Sequence, residues 1–99
     1  MSEGYRVVFG SVKIQKYTVK FLRTLPRNLQ QRLYDAMKEL GKNPRPQQSK
    51  RLSLGVLVYG YTAQYRLRVD DYRILYDVDD RAETVVVLAI RKREEKTYA

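Results

Sequence analysis

The 99-residue sequence contains no cysteine and no histidine. Without cysteine there is no disulfide framework and no thiolate metal site. Without histidine the chain lacks the usual neutral-pH general base and the commonest metal ligand. Nucleophile triads of the Ser-His or Cys-His kind are thereby excluded. No apolar run is long enough to span a membrane, and the N-terminal stretch has no signal-peptide core. The expectation is a cytoplasmic protein that does not associate with membranes and uses neither a cofactor nor a metal. The length suits one domain over residues 1–99, with one core and modest stability.

Acidic residues are also scarce. Eleven Asp and Glu stand against twenty Lys and Arg, for a net charge of +9. Residues 1–49 carry +7 of this and residues 50–99 carry +2. The acids of the second half gather near turns, at Asp70, Asp71, Asp77, Asp79, Asp80 and Glu83. An excess of positive charge on a small domain points to a polyanionic partner, either nucleic acid or an acidic protein.

The stretch that organises the rest is Tyr65–Val78, Y-R-L-R-V-D-D-Y-R-I-L-Y-D-V. Its period-two alternation and central Asp70-Asp71 predict two strands around a tight turn. With Val69 and Tyr72 flanking a two-residue turn, Arg68 lies opposite Arg73, Leu67 opposite Ile74, Arg66 opposite Leu75 and Tyr65 opposite Tyr76. Opposed residues share a face. One face then carries Tyr65, Leu67, Val69, Tyr72, Ile74 and Tyr76, which is a core. The other carries Arg66, Arg68 and Arg73, with Leu75. Opposed like charges weaken a strand pair, and a bound anion, or Asp70 and Asp71 folding back, would relieve them. A solvated charged face is the ordinary alternative.

Along the chain, Tyr5–Phe9 reads as a strand and Ser11 as a helix N-cap. Ile14, Tyr17, Phe21, Leu22 and Leu25 recur at helical spacing, and so do Leu29, Leu33, Ala36, Met37 and Leu40. Pro26 separates the two helices, Gly41 reads as the residue ending the second, and Pro44 stops continuation. Lysines and arginines (Lys13, Lys16, Lys20, Arg23, Arg27, Arg32, Lys38) take the outward faces. Asn43–Arg51 reads as a polar loop. Leu52–Thr62 is apolar and glycine-punctuated, and fits either an extra strand or a loop packed beside the hairpin. Thr84–Ile90 is an unbroken β-branched run, as in a buried central strand. The sum is an α+β domain: an N-terminal strand, then an antiparallel helical hairpin packed on a curved, mostly antiparallel sheet.

Read together, L-G-K-N-P after the helices, K-R-L, Y-R-L-R-V-D-D-Y-R-I-L-Y-D-V-D-D and V-V-V-L-A-I-R-K-R-E-E-K-T-Y resemble the RelE/ParE superfamily of type II toxin–antitoxin toxins. The resemblance covers Tyr5 to Tyr98. It implies a small RelE-like toxin domain and one of two activities. RelE-like members are ribosome-dependent mRNA endonucleases, or mRNA interferases, that inhibit translation. ParE-like members inhibit DNA gyrase without nuclease residues. The nuclease branch typically has basic residues on the first hairpin strand, an arginine on the second, and another basic residue plus a tyrosine or histidine after the last strand. Arg66 and Arg68, Arg73, and Arg93 with Tyr98 match these places, and Arg91 competes with Arg93. The resemblance thus implies Arg66, Arg68, Arg73, Arg93 and Tyr98 as the catalytic set. Lys50, Arg51, Arg91 and Lys92 are the candidates for RNA or ribosome contacts. It also implies a cognate antitoxin through which the toxin reaches DNA indirectly.

The chemistry is coherent with that set. A 2′-hydroxyl can attack its adjacent phosphate without metal, leaving a 2′,3′-cyclic phosphate and a 5′-hydroxyl. Guanidinium groups match phosphate oxygens bidentately. Arginine, with a pKa above ~12, is a poor base, and tyrosine near ~10 needs neighbouring cations to serve as one. Tyr98 is therefore either a base or a platform for a flipped nucleobase. The competing readings are a gyrase-inhibiting toxin of the ParE class and a plain nucleic-acid or protein adaptor.

Overall fold

The computed structural model describes residues 4–93. Strand β1 spans Arg6–Phe9 and is followed by helices α1 (Val12–Leu22) and α2 (Arg27–Lys42). Strands β2 (Ser49–Val58), β3 (Tyr61–Val69), β4 (Tyr72–Asp79) and β5 (Thr84–Lys92) complete the chain. The five strands form one sheet in the order β1-β5-β4-β3-β2, with β1 parallel to β5 and every other pair antiparallel. Among the described residues no helix is long and apolar enough to cross a membrane.

The local chemistry explains the boundaries. Ser11 caps α1, its Oγ accepting from the Ile14 N–H at 3.1 Å, as an N-cap hydroxyl should. Pro26 stands at the start of α2, and its carbonyl accepts from Leu29 and Gln30. Asp70 takes a positive φ of 54°, which lets the β3–β4 chain reverse in two residues, and aspartate tolerates that region better than most residues. The β-run Thr84–Ile90 lies between β1 and β4 as expected.

Gly41 does not end α2, which continues to Lys42. Its role is close approach: the Tyr5 N–H donates to the Gly41 carbonyl at 2.6 Å. A Cβ at position 41 would come within 2.8 Å of the Tyr5 carbonyl oxygen. The expected polar loop is also shorter than Asn43–Arg51, because Ser49, Lys50 and Arg51 pair with Leu67, Arg66 and Tyr65. Of the two alternatives for Leu52–Thr62, the strand holds. The segment completes β2, turns at Tyr59-Gly60 and begins β3. β2 is irregular between Arg51 and Val56, where Gly55 has φ +71°.

The main core lies between the helices and one sheet face. Leu22, Leu33, Met37 and Leu40 meet Tyr65, Leu67, Ile74, Tyr76, Val85, Val87 and Ile90. A second cluster joins Ile14 to Val58, Ala63, Leu75, Leu88 and Ala89. Leu75 pairs with Ala89 and Tyr76 with Val87, which leaves Leu88 as an extra residue in β5. Alternation alone supplies both clusters, and the bulge shifts it, so that Val85, Val87 and Ile90 reach the main core while Leu88 and Ala89 both serve the second cluster.

Candidate functional site

The register of the organising hairpin is the one its sequence pattern predicts: Tyr65↔Tyr76, Arg66↔Leu75, Leu67↔Ile74, Arg68↔Arg73 and Val69↔Tyr72. The next strand extends the pattern, since Arg73 faces Arg91 and Leu75 faces Ala89. On the other side Lys50 faces Arg66. The sheet face turned away from the main core therefore carries a row Arg68–Arg73–Arg91 beside a row Lys50–Arg66–Leu75–Ala89. Like charges set directly opposite one another cost stability.

A cleft of about 670 Å³ opens over this face. Arg66, Arg73, Arg91, Lys92 and Arg93 line it, together with Leu52 and Val56 of β2, Leu75 and Ile90 of the sheet, and Phe21 of α1. The bent part of β2 forms one apolar wall. Arg93 is held at the opposite end because its N–H donates to the Asp71 carbonyl at 2.6 Å, tying the end of β5 to the β3–β4 turn.

No described carboxylate forms an ion pair with Arg66, Arg73, Arg91 or Arg93. The relief suggested by the sequence does not come from Asp70. Its carboxylate pairs instead with Arg32 of α2, at 2.9 and 3.0 Å. The Arg73 Nε is buried and has no hydrogen-bond partner among the described residues. Burial, followed by the positive charges of Arg73 and Arg68, pulls the Arg66 pKa below its ordinary value. A buried donor with no partner among the described residues and like charges set side by side are both costly. An oxyanion bound there would answer both costs.

The structure brings Arg66, Arg73, Arg91, Lys92 and Arg93 into one cleft, with Lys50 next to Arg66. Arg68 lines a separate depression of about 320 Å³, with Arg32, Glu39, Gln48 and Asp70. Arg51 does not join the cleft. As the partner of Tyr65 in the register it lies over the opposite face, its Cζ 5.8 Å from the centre of the Tyr65 ring. Tyr98 lies outside the described residues. Sequence reasoning missed Phe21, Leu52 and Val56 as walls. Their placement comes from tertiary approach, for which the local pattern holds no signal.

A cationic cleft on a RelE-like α+β fold defines a class, the small toxins of type II toxin–antitoxin systems. The chain belongs to the ParE toxin family of type II toxin–antitoxin systems (parDE), whose family model matches residues 12–97. Its fold is similar to that in the crystal structure of the archaeal RelE–RelB complex from Pyrococcus horikoshii OT3. The two share 26% identity and a TM-score of 0.71 over 93% of this chain and 98% of that one. It also resembles the toxin–antitoxin complex RelBE2 of Mycobacterium tuberculosis, at 24% identity and TM-score 0.64 over 91% and 99% of the two chains. Likeness to the isolated E. coli RelE toxin is 22% identity and TM-score 0.59, over 94% of this chain and 88% of that one. No curated protein matches the sequence.

Proposed function

We propose that this toxin is a ribosome-dependent mRNA endonuclease that inhibits translation, held inactive by a cognate antitoxin. The observation that carries the reading is the cluster of guanidinium groups around Arg73, whose Nε is buried without a partner among the described residues. In the reaction the mRNA 2′-oxygen loses its proton and bonds to phosphorus. The bond from phosphorus to the 5′-oxygen breaks, and that oxygen takes up a proton. Negative charge builds on the phosphoryl oxygens and on the leaving oxygen. Arg73 and Arg66 face the first, Arg91 and Arg93 flank the second, and Arg68 guides the strand toward the cleft. Tyr98 supplies a base or a stacking surface. Removing one preorganised donor of this kind costs ~10²–10³ in rate. Because the arginines are poor proton carriers, catalysis rests on positioning, which a ribosome holding the mRNA supplies.

Gyrase inhibition without cleavage is the second reading, and the ParE family match favours it. Primer extension on a reporter mRNA, with and without ribosomes, separates the two. The nuclease reading expects discrete breaks only with ribosomes present, lost in Arg73→Met, and unchanged supercoiling by purified gyrase. Intact mRNA together with blocked supercoiling would transfer the assignment to the gyrase reading.

A further inference from the structure

Beside the arginine cleft lies a small recess of about 130 Å³ walled by Tyr17, Phe21 and Tyr59, with Leu88 and Ile90 among the residues behind them. Phe21 and Ile90 line both spaces, so the recess adjoins the cleft. Tyr17 on α1 and Tyr59 at the β2–β3 turn meet with ring centres 5.2 Å apart and planes tilted by 42°. Both stay open to solvent, at 43% and 57% exposure. The turn that presents Tyr59 is specific: Tyr59 and Gly60 take φ values of +50° and +84°. Asparagine, aspartate or glycine suit such a conformation better than an aromatic does. A tyrosine placed there at conformational cost, with its ring left exposed, calls for a reason beyond the core.

Charge beside the recess supplies one. Tyr17 is bracketed on α1 by Lys13, four residues before it, and Lys20, three after, and both are exposed. Positions at these spacings are neighbours on a helix surface. No acidic residue occurs from Gly4 to Tyr34, and among the described residues neither lysine forms an ion pair. The apolar recess thus has two groups of cations near it, the α1 lysines beside Tyr17 and the arginines of the adjoining cleft, none of them ion-paired among the described residues. A single small anion would fill only one of them. A chain with regularly spaced anions and a flat ring between them fits the whole, and a nucleic-acid strand has that chemistry.

We propose that Tyr17 and Tyr59 form a stacking platform for one nucleobase of the single-stranded RNA whose phosphate lies in the arginine cleft. The inference rests on the RNA reading above and adds a base-positioning site to it. The tyrosines are positioning residues. Stacking tolerates all four bases, so the platform fixes where the strand lies more than which base enters.

The test uses the full chain and short oligoribonucleotides carrying 2-aminopurine at successive positions, whose fluorescence falls on stacking. Wild type should quench one position strongly. Tyr59→Ala should lose that quenching and bind about tenfold to a hundredfold more weakly, with an unchanged slope of log affinity against log salt. Tyr59→Phe should retain the quenching, which separates stacking from loss of fold, and circular dichroism checks the alanine variant. Arg73→Met should do the reverse, keeping the quenching and lowering the salt slope by about 0.7. Wild-type-like quenching in both Tyr59→Ala and Tyr17→Ala would overturn the platform while leaving the cleft reading intact. Absence of quenching at any position in wild type would overturn it too. So would burial of both tyrosines by an antitoxin while RNA remained bound and quenched.

Discussion

Replacing Arg73 with methionine keeps most of the side chain's bulk and removes its charge and its orphaned N–H. In the strand register Arg73 has Arg68 on one side and Arg91 on the other. At ~7 Å and an effective dielectric of ~40–80, each such neighbour costs about 0.6–1.2 kcal/mol by Coulomb's law. Long side chains splay apart, so the lower end applies, and the pair together costs ~1 kcal/mol. The buried Nε, without a partner among the described residues, adds the penalty of an unsatisfied donor, about 1–3 kcal/mol. Methionine retains the apolar contact with the cleft floor and introduces no such group. Arg73→Met should therefore stabilise the isolated toxin by about 1–2 kcal/mol, allowing for relaxation around the wild-type arginine. For a domain of this size that raises Tm by roughly 4–8 °C per kcal/mol. Urea and thermal melts at low and high salt measure it, and the gain should shrink in high salt as screening removes its Coulombic part. The same variant should be inactive in the mRNA assay. A less stable Arg73→Met protein, or a gain independent of salt, would refute the idea that this arginine is held against its own electrostatics for the sake of a ligand.

Two further outcomes test the scaffold. Gly41→Ala gains about 1 kcal/mol of helix propensity but drives a Cβ to 2.8 Å from the Tyr5 carbonyl oxygen. Backbone there cannot swing aside, so the net effect should be destabilisation of about 1–2 kcal/mol in a urea melt, and a variant as stable as wild type would mean that β1 shifts freely. Asp80 accepts two bonds from Arg45, at 3.2 and 2.7 Å, and one from the Tyr5 hydroxyl at 2.7 Å, and these partners hold its carboxyl below the usual range. A folded-state pKa that is depressed contributes stability above the ordinary carboxylate value of ~3.9, and that contribution is lost as pH falls through the folded value. Asp80→Asn should therefore be less stable than wild type near neutrality, with the gap closing below pH ~4, whereas a gap constant with pH would remove Asp80 from the acid limb.

The hairpin was legible because its information is local. Alternation at period two and an Asp-Asp break fix which residues share a face, and the observed pairing of Arg66, Arg68 and Arg73 follows from counting alone. The helices were legible for the same reason, through the stripes at Ile14, Leu22, Leu33, Met37 and Leu40. What stayed hidden depends on segments distant in sequence. Gly41 carries the usual mark of a helix end, yet the crossing backbone of Tyr5 decides its role. Arg51 and Lys50 are adjacent basic residues in what reads as one loop. Strand pairing sends them to opposite faces, and only Lys50 lies beside the arginines. Tyr17 and Tyr59 are 42 residues apart in sequence, and nothing in either neighbourhood announces the other.

The cleft owes its charge to the placement of the acids more than to the total of +9. In β3, β4 and their turns, acids and arginines are close in sequence and could neutralise one another. The fold assigns the acids elsewhere. Asp70 turns outward to Arg32 on α2, and Asp80 is taken by Arg45 and Tyr5 on the far side of the sheet. Asp79 accepts from the Ala82 N–H within its own turn, and Asp77 accepts from the Val78 N–H. Each of these carboxylates does structural work that also keeps it from Arg66, Arg73 and Arg91. Arg45 and Arg32 are in this sense part of the site, though neither lines the cleft. By engaging acids that would otherwise be free, they leave the strand arginines without an ion pair among the described residues. A chain of the same composition with its ion pairs formed between adjacent strands would be more stable and would have no such cationic cleft.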